Sequence, residues 1–187
     1  MCRGKSPHTA DAYMQSKQKA FPDTFDGSVL DIGGGLGYYS FLALARGAST
    51  ATIVDIDEKI RTVGTNVLQH VQVDAHYADK CDYECTKRDN VIVLGIMHLL
   101  FVCMEVYSLD RVFQYLAQVT RKFLIVEWIE PDEKFIAKHL QDTAMQSVYS
   151  RALFEKSISK YFDVSGRHPT SKASRIIYTA TKKEMNK

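Results

Sequence analysis

Two periods of apolar and polar positions alternate along this chain. Val29, Leu30 and Ile32 make a short apolar run that reads as a buried strand, and Tyr39 to Arg46 then reads as a helix closed by Gly47. Ala51 to Asp55 is a second strand. Asp57 caps an expected helix over Glu58 to Leu68, with Ile60, Val63, Val67 and Leu68 at helical spacing. His70 to Asp74 alternates as a third strand, and Asn90 to Gly95 is a near-continuous apolar run suited to a parallel strand buried on both faces. Leu109, Val112, Phe113, Leu116 and Val119 stripe a helix over Tyr107 to Thr120, and a fifth strand follows at Phe123 to Ile129. The pattern then changes. Glu130 to Ser147 reads as a mostly helical insertion, and Ser150 caps a helix over Arg151 to Tyr161. The strands Phe162 to Arg167 and Arg175 to Thr181 are joined by a link too short for a crossover, so they pair antiparallel.

The alternation predicts an α/β fold: a Rossmann-like seven-stranded sheet, mostly parallel with an antiparallel C-terminal hairpin strand, and helices on both faces. By length it is one domain over residues 1–187, with an N-terminal tail and helix at 1–26 and a substrate-side insertion at 130–150.

The glycine loop between the first strand and its helix brings backbone close to a nucleotide-like ligand. A dinucleotide site takes G-x-G-x-x-G, but the third glycine place after Gly33 and Gly35 holds Tyr38. The pattern that fits is D-x-G-x-G-x-G, from Asp31 through Gly33, Gly34 and Gly35 to Gly37. An acid at the strand end suits a ligand with a positive amino group. This stretch resembles the first motif of class I S-adenosylmethionine-dependent methyltransferases. Val91 to Leu99 resembles a fourth motif of small members of that family, and the chain from Leu124 to Phe154 is similar to bacterial members. The resemblance runs from about residue 25 onward. It implies S-adenosyl-L-methionine as cofactor and S-adenosyl-L-homocysteine as product.

Asp55 ends the second strand, 24 positions after Asp31. A carboxylate there accepts from both hydroxyls of a ribose lying across the carboxyl edge of the sheet, with Ile56 beside the adenine; the plainer reading, a helix cap, suits Asp57 better. Asp74 and Ala75 end the third strand, where the resemblance implies a contact with the adenine amino group. Gly95 lets a carbonyl approach the ligand's amino group, or simply lets helix and sheet pack.

Composition narrows the classes. The chain has 24 basic and 22 acidic residues, a formal net charge of +2, which disfavours a broad basic nucleic-acid surface. Basic clusters at Lys5, Lys17 and Lys19 and at Lys182, Lys183 and Lys187 keep RNA open as a partner. Cys81 and Cys85 lack a second pair at ligand spacing, so no metal site is expected, and Cys103 reads as packing. The run Val91 to Met104 is too short to span a bilayer, and no apolar leader precedes the first strand, so a cytoplasmic protein without disulfides is expected.

Methyl transfer is an in-line displacement, needing a general base only for a protonated acceptor. His98, just past the fourth strand, is a candidate base or a core histidine. Glu127 and Glu130 are the other candidates, Glu127 reading equally as a salt-bridge partner or helix cap, and Trp128 stacks on an acceptor or packs. The family's Pro-Pro amino-methylation motif, its Pro-Cys nucleophile and its Lys-Asp-Lys-Glu tetrad are missing. What is left is a small-molecule O or N acceptor. An RNA acceptor and a non-catalytic cofactor-binding subunit are the alternatives. Tyr13, Met14, Tyr38, Met97, Trp128, Phe135, Met145 and Tyr149 are the expected pocket residues, with the site open or closed by a second copy in a homodimer.

Overall fold

The computed structural model describes residues 7–55, 71–74, 87–103, 107–138, 140 and 143–184. Its strands are β1 (Ser28–Ile32), β2 (Thr50–Val54), β3 (Val71–Asp74), β4 (Arg88–Val93), β5 (Thr120–Ile129), β6 (Phe162–Pro169) and β7 (Arg175–Lys182). They form one sheet in the order β3-β2-β1-β4-β5-β7-β6. Strands β1 to β5 run parallel, and β7 pairs antiparallel with both β5 and β6. The chain winds outward from β1 to β3 and then restarts at β4 on the other side of β1. The strand order therefore reverses between β1 and β4, which is where such sheets open a crevice at their carboxyl ends.

Alternation along the buried strands sorts the core into two sides. Leu30, Ile32, Val91, Val93, Leu124, Val126 and Trp128 pack with α3 (Met97–Cys103), α4 (Leu109–Val119) and α7 (Arg151–Tyr161). Val29, Ile53, Ile92 and Ile125 pack with Tyr39 and Ala43 of α2 (Tyr38–Ala45) and with Ala20 and Phe21, which follow α1 (Pro7–Gln18). Period-two geometry puts Asp31 and Glu127 on this second side.

Helix α4 carries the clearest apolar stripe and starts where Ser108 accepts from the Arg111 amide. Ser150 caps α7 in the same way. The region after β5 contains α5 (Lys134–Ala137) and α6 (Thr143–Val148), two short helices rather than one long one. Strand β4 begins two residues earlier than its apolar run, because Ser28 donates to the Asp89 carboxylate through both its amide (2.9 Å) and its hydroxyl (2.8 Å). It also ends at Val93, so Gly95 lies beyond the strand in a left-handed turn (φ 80°) instead of closing it. No helix among the described residues is long and apolar enough to cross a membrane.

Candidate functional site

Strand register assembles the carboxyl edge. Ile32 is level with Val54 and Val93, and Val93 with Val126. One residue further stand Gly33, Asp55, Leu94 and Glu127, with Gly95 next in the turn after β4.

The glycine loop is built from backbone that other residues cannot copy. Gly33 (φ 70°) donates to the Val54 carbonyl at 2.7 Å, and a Cβ there would stand 2.7 Å from Ile96 Cγ2. A Cβ on Gly34 would stand 2.7 Å from Asp31 Oδ2. Gly35 (φ 54°) differs: a Cβ there meets nothing within 4 Å, and its amide donates to Asp55 Oδ2 at 3.0 Å. Gly37 (φ 80°) bonds back to the Gly34 carbonyl at 2.9 Å and opens α2, accepting from the Phe41 amide. Gly95 has one described atom within 4 Å of its Cβ position, Glu127 Oε2 at 3.9 Å. Both Gly35 and Gly95 therefore face space that described side chains leave open.

Asp31 does not stand in that space. It is 1% exposed beneath the loop, accepting from the Ser40 hydroxyl of α2 at 2.9 Å. Burial pushes its carboxyl up to about 7, with the Ser40 hydrogen bonds pulling the other way. Asp55 is buried at the end of β2. Asp74 closes β3 level with Val54, which puts its backbone on the same edge. Ile56, Ala75, the expected helix over Glu58 to Leu68, Cys81 and Cys85 lie outside the described residues.

Glu127 is fully buried, with partners from α1 and β7. Tyr13 of α1 donates its hydroxyl to Oε1 at 2.6 Å, and Lys17, one turn later, donates to Oε2 at 2.7 Å. Arg175 of β7 donates to the Tyr13 hydroxyl at 2.9 Å and stands 3.8 Å from Glu127 Oε2. Arg175 is itself held by Glu133, with Nε to Oε2 at 2.8 Å and a second, shorter bond from Nη2 to Oε1; the Ser174 hydroxyl joins at 2.8 Å. The guanidinium holds the Glu133 carboxyl down to about 2. Burial first, then Glu127, raises the Tyr13 phenol well above its usual range, so it remains a donor at neutral pH.

His98 lies in the first turn of α3, fully buried, on the side of the sheet away from Glu127. Trp128 packs: it stacks on Tyr149 at 4.5 Å between ring centroids and tilts against Phe154 at 5.1 Å. Of the expected pocket residues, Met97, Trp128 and Tyr149 are core, Tyr38 is exposed, Tyr13, Met14 and Met145 are half-buried, and the Phe135 side chain is not among those described. The sequence reading missed Ser40, Lys17, Glu133, Ser174 and Arg175. Lys17 alone carried a signal, standing four residues after Tyr13 on one helix face.

No family model and no curated protein matches the chain. Solved structures do. The N-methyltransferase NodS from Bradyrhizobium japonicum WM9 aligns over 96% of this chain and 99% of its own, with a TM-score of 0.69 and 10% identity. The same protein in complex with S-adenosyl-L-homocysteine aligns over 95% and 89%, at 0.66 and 10%. An S-adenosylmethionine dependent methyltransferase from Mesorhizobium loti aligns over 91% and 98%, at 0.68 and 14%. The 16S rRNA methylase RmtB aligns over 92% of this chain and 63% of its own, at 0.65 and 14%. The chain has the class I S-adenosylmethionine-dependent methyltransferase fold.

Proposed function

We propose that this chain transfers a methyl group from S-adenosyl-L-methionine to a small-molecule nitrogen or oxygen acceptor. The observation that carries the reading is the edge row itself: a glycine loop tied by the Gly35 amide to Asp55, opposite the turn at Gly95. The residues suit the cofactor in donor set and in space. Side chains at 35 and 95 would project into room that no described side chain other than Glu127 approaches. In this reading the Asp55 carboxylate accepts from ribose hydroxyls while keeping the Gly35 amide. Asp74, with Ile56 and Ala75, takes the adenine end. Gly33, Gly34, Gly35 and Gly37 let backbone lie against the ligand, the Gly95 carbonyl receives its amino group, and Asp31 contributes negative potential from beneath the loop.

When bound, the cofactor supplies an activated methyl group on a sulfonium. The protein's part is to orient the acceptor, exclude water and hold charge. Glu127 lies beside Gly95, and in this reading it is the carboxylate that faces the acceptor, with His98 the other candidate base. Tyr13 and Lys17 tie α1 to Glu127.

Incubation with a labelled methyl donor and a panel of small amines, phenols, carboxylates and short RNAs tests the reading. Label in a small amine or hydroxyl compound is expected. Label in RNA alone would replace this function with RNA methylation, and binding without any transfer would make the chain a cofactor-binding subunit.

A further inference from the structure

Lys17 sits in a box that has the chemistry of an ammonium receptor. Its Nζ lies 4.5 Å from the Tyr13 ring centroid and 5.9 Å from that of Tyr39, both within the range of cation–π attraction, and 2.7 Å from Glu127 Oε2. The walls are fixed by other contacts. Tyr39 stacks on Phe21 at 5.2 Å and meets the Tyr38 edge at 5.1 Å. The Tyr13 hydroxyl is held between Glu127 and Arg175. Arg175 is bonded twice to Glu133 and stands 3.8 Å from Glu127, and Lys172 Nζ lies 4.3 Å from the Tyr13 ring centroid, so Glu127 is the carboxylate in direct contact with the Lys17 ammonium while two further cations stand beside the Tyr13 ring. The box lies against the crevice, since Glu127 Oε2 is the described atom nearest the Cβ position of Gly95. Stability alone is a weak reason to bury such a pair, because desolvation offsets most of the attraction.

We infer that this box is the recognition site for a cationic amine, and that Lys17 is its internal occupant, displaced when an ammonium ligand enters. The inference rests on the proposed methyltransferase reading and narrows its acceptor to an amine. Two rigid aromatic faces and one carboxylate suit a compact ammonium carrying one or more alkyl groups. They do not suit a carboxylate or phosphate, which would face Glu127. The Lys17 side chain has four rotatable bonds and can withdraw while Tyr13 keeps its place on the same helix.

The test clears the occupant. In Lys17→Met, calorimetric titration with choline is compared with its neutral carbon isostere, 3,3-dimethylbutan-1-ol, both with S-adenosyl-L-homocysteine present. Choline should bind Lys17→Met at least about tenfold tighter than wild type, the alcohol should not bind, and adding Glu127→Gln should abolish the choline signal. No choline binding, equal binding of the alcohol, or indifference to Glu127→Gln would overturn the inference. The S-adenosyl-L-homocysteine titration of the same sample reports the methyltransferase reading separately. If Lys17→Met does not fold, wild type is given labelled donor with matched amines and alcohols. Preferential labelling of amines supports the box, and labelling of oxygen acceptors only, or of none, overturns it.

Discussion

Glu127→Gln removes one charge from a buried cluster. Lys17 and Glu127 are both buried, with 2.7 Å between Nζ and Oε2, and Arg175 is 3.8 Å from the same oxygen. The amide keeps the shape but leaves the Lys17 ammonium facing no counter-charge. Breaking a buried pair this way costs about 3–5 kcal/mol. At about 2–4 °C per kcal/mol for a chain of this length, the melting temperature should fall by roughly 6–20 °C. Lys17→Met is the asymmetric control. It leaves Glu127 with the Tyr13 hydroxyl at 2.6 Å and with Arg175, so its cost should be nearer 1–3 kcal/mol. The double variant should cost less than the two singles together by about 0.5–3 kcal/mol. Urea unfolding followed by tryptophan emission reads all three, since Trp128 is the sole tryptophan and is fully buried. A cost below about 1 kcal/mol for Glu127→Gln, or a larger cost for Lys17→Met, would refute the reasoning.

Asp55→Ala should weaken S-adenosyl-L-homocysteine binding by tenfold or more, about 1.4 kcal/mol, in calorimetry; unchanged affinity would remove Asp55 from the ribose site. Gly33→Ala and Gly35→Ala should separate folding from binding. Both residues are left-handed and cost about 1–2 kcal/mol on that ground, but only the first forces a Cβ against Ile96, so Gly33→Ala should be clearly the less stable in urea. Gly35→Ala should lose only the backbone cost of about 1–2 kcal/mol yet also lose cofactor affinity, and normal affinity would show that no ligand lies against it. Asp31 sets a pH dependence. Its folded pKa of about 7 is above the ordinary 3.8, so its contribution is full below about pH 4 and is lost as pH rises through 7. Asp31→Asn, which still accepts from Ser40, should flatten that decline and be more stable than wild type at pH 8; equal losses between pH 5 and 8 in both proteins would contradict this.

The strands were legible because each is either a continuous apolar run or a clean alternation, and because Gly47 and the cap Ser150 punctuate the helices. Gly33 and Asp55 were legible at the carboxyl edge because parallel register brings successive strand ends to one level, whereas Gly95, expected to end β4, lies one residue past that level in the turn. What the sequence hid is how carboxylates are spent. Asp31 reads as a ligand contact but turns to the α2 side and bonds Ser40, nine residues away. Glu127 reads as an acid at a strand end, yet its partners Tyr13 and Lys17 are 114 and 110 residues distant. No local period encodes that meeting. It follows from tertiary packing that brings Tyr13 and Lys17 of α1 to the end of β5, and the polar character of α1 gave no apolar stripe to foretell it. The strand limits of β4 failed for a related reason, since Arg88 and Asp89 are polar residues that pair through Thr120 and Ser28 rather than through burial.

Calorimetric titration of the wild-type protein with S-adenosyl-L-homocysteine, and separately with NAD, decides which nucleotide ligand the glycine loop takes. Saturable one-to-one binding of S-adenosyl-L-homocysteine with no heat from NAD is the predicted result. Binding of NAD instead, or of neither, would contradict the account.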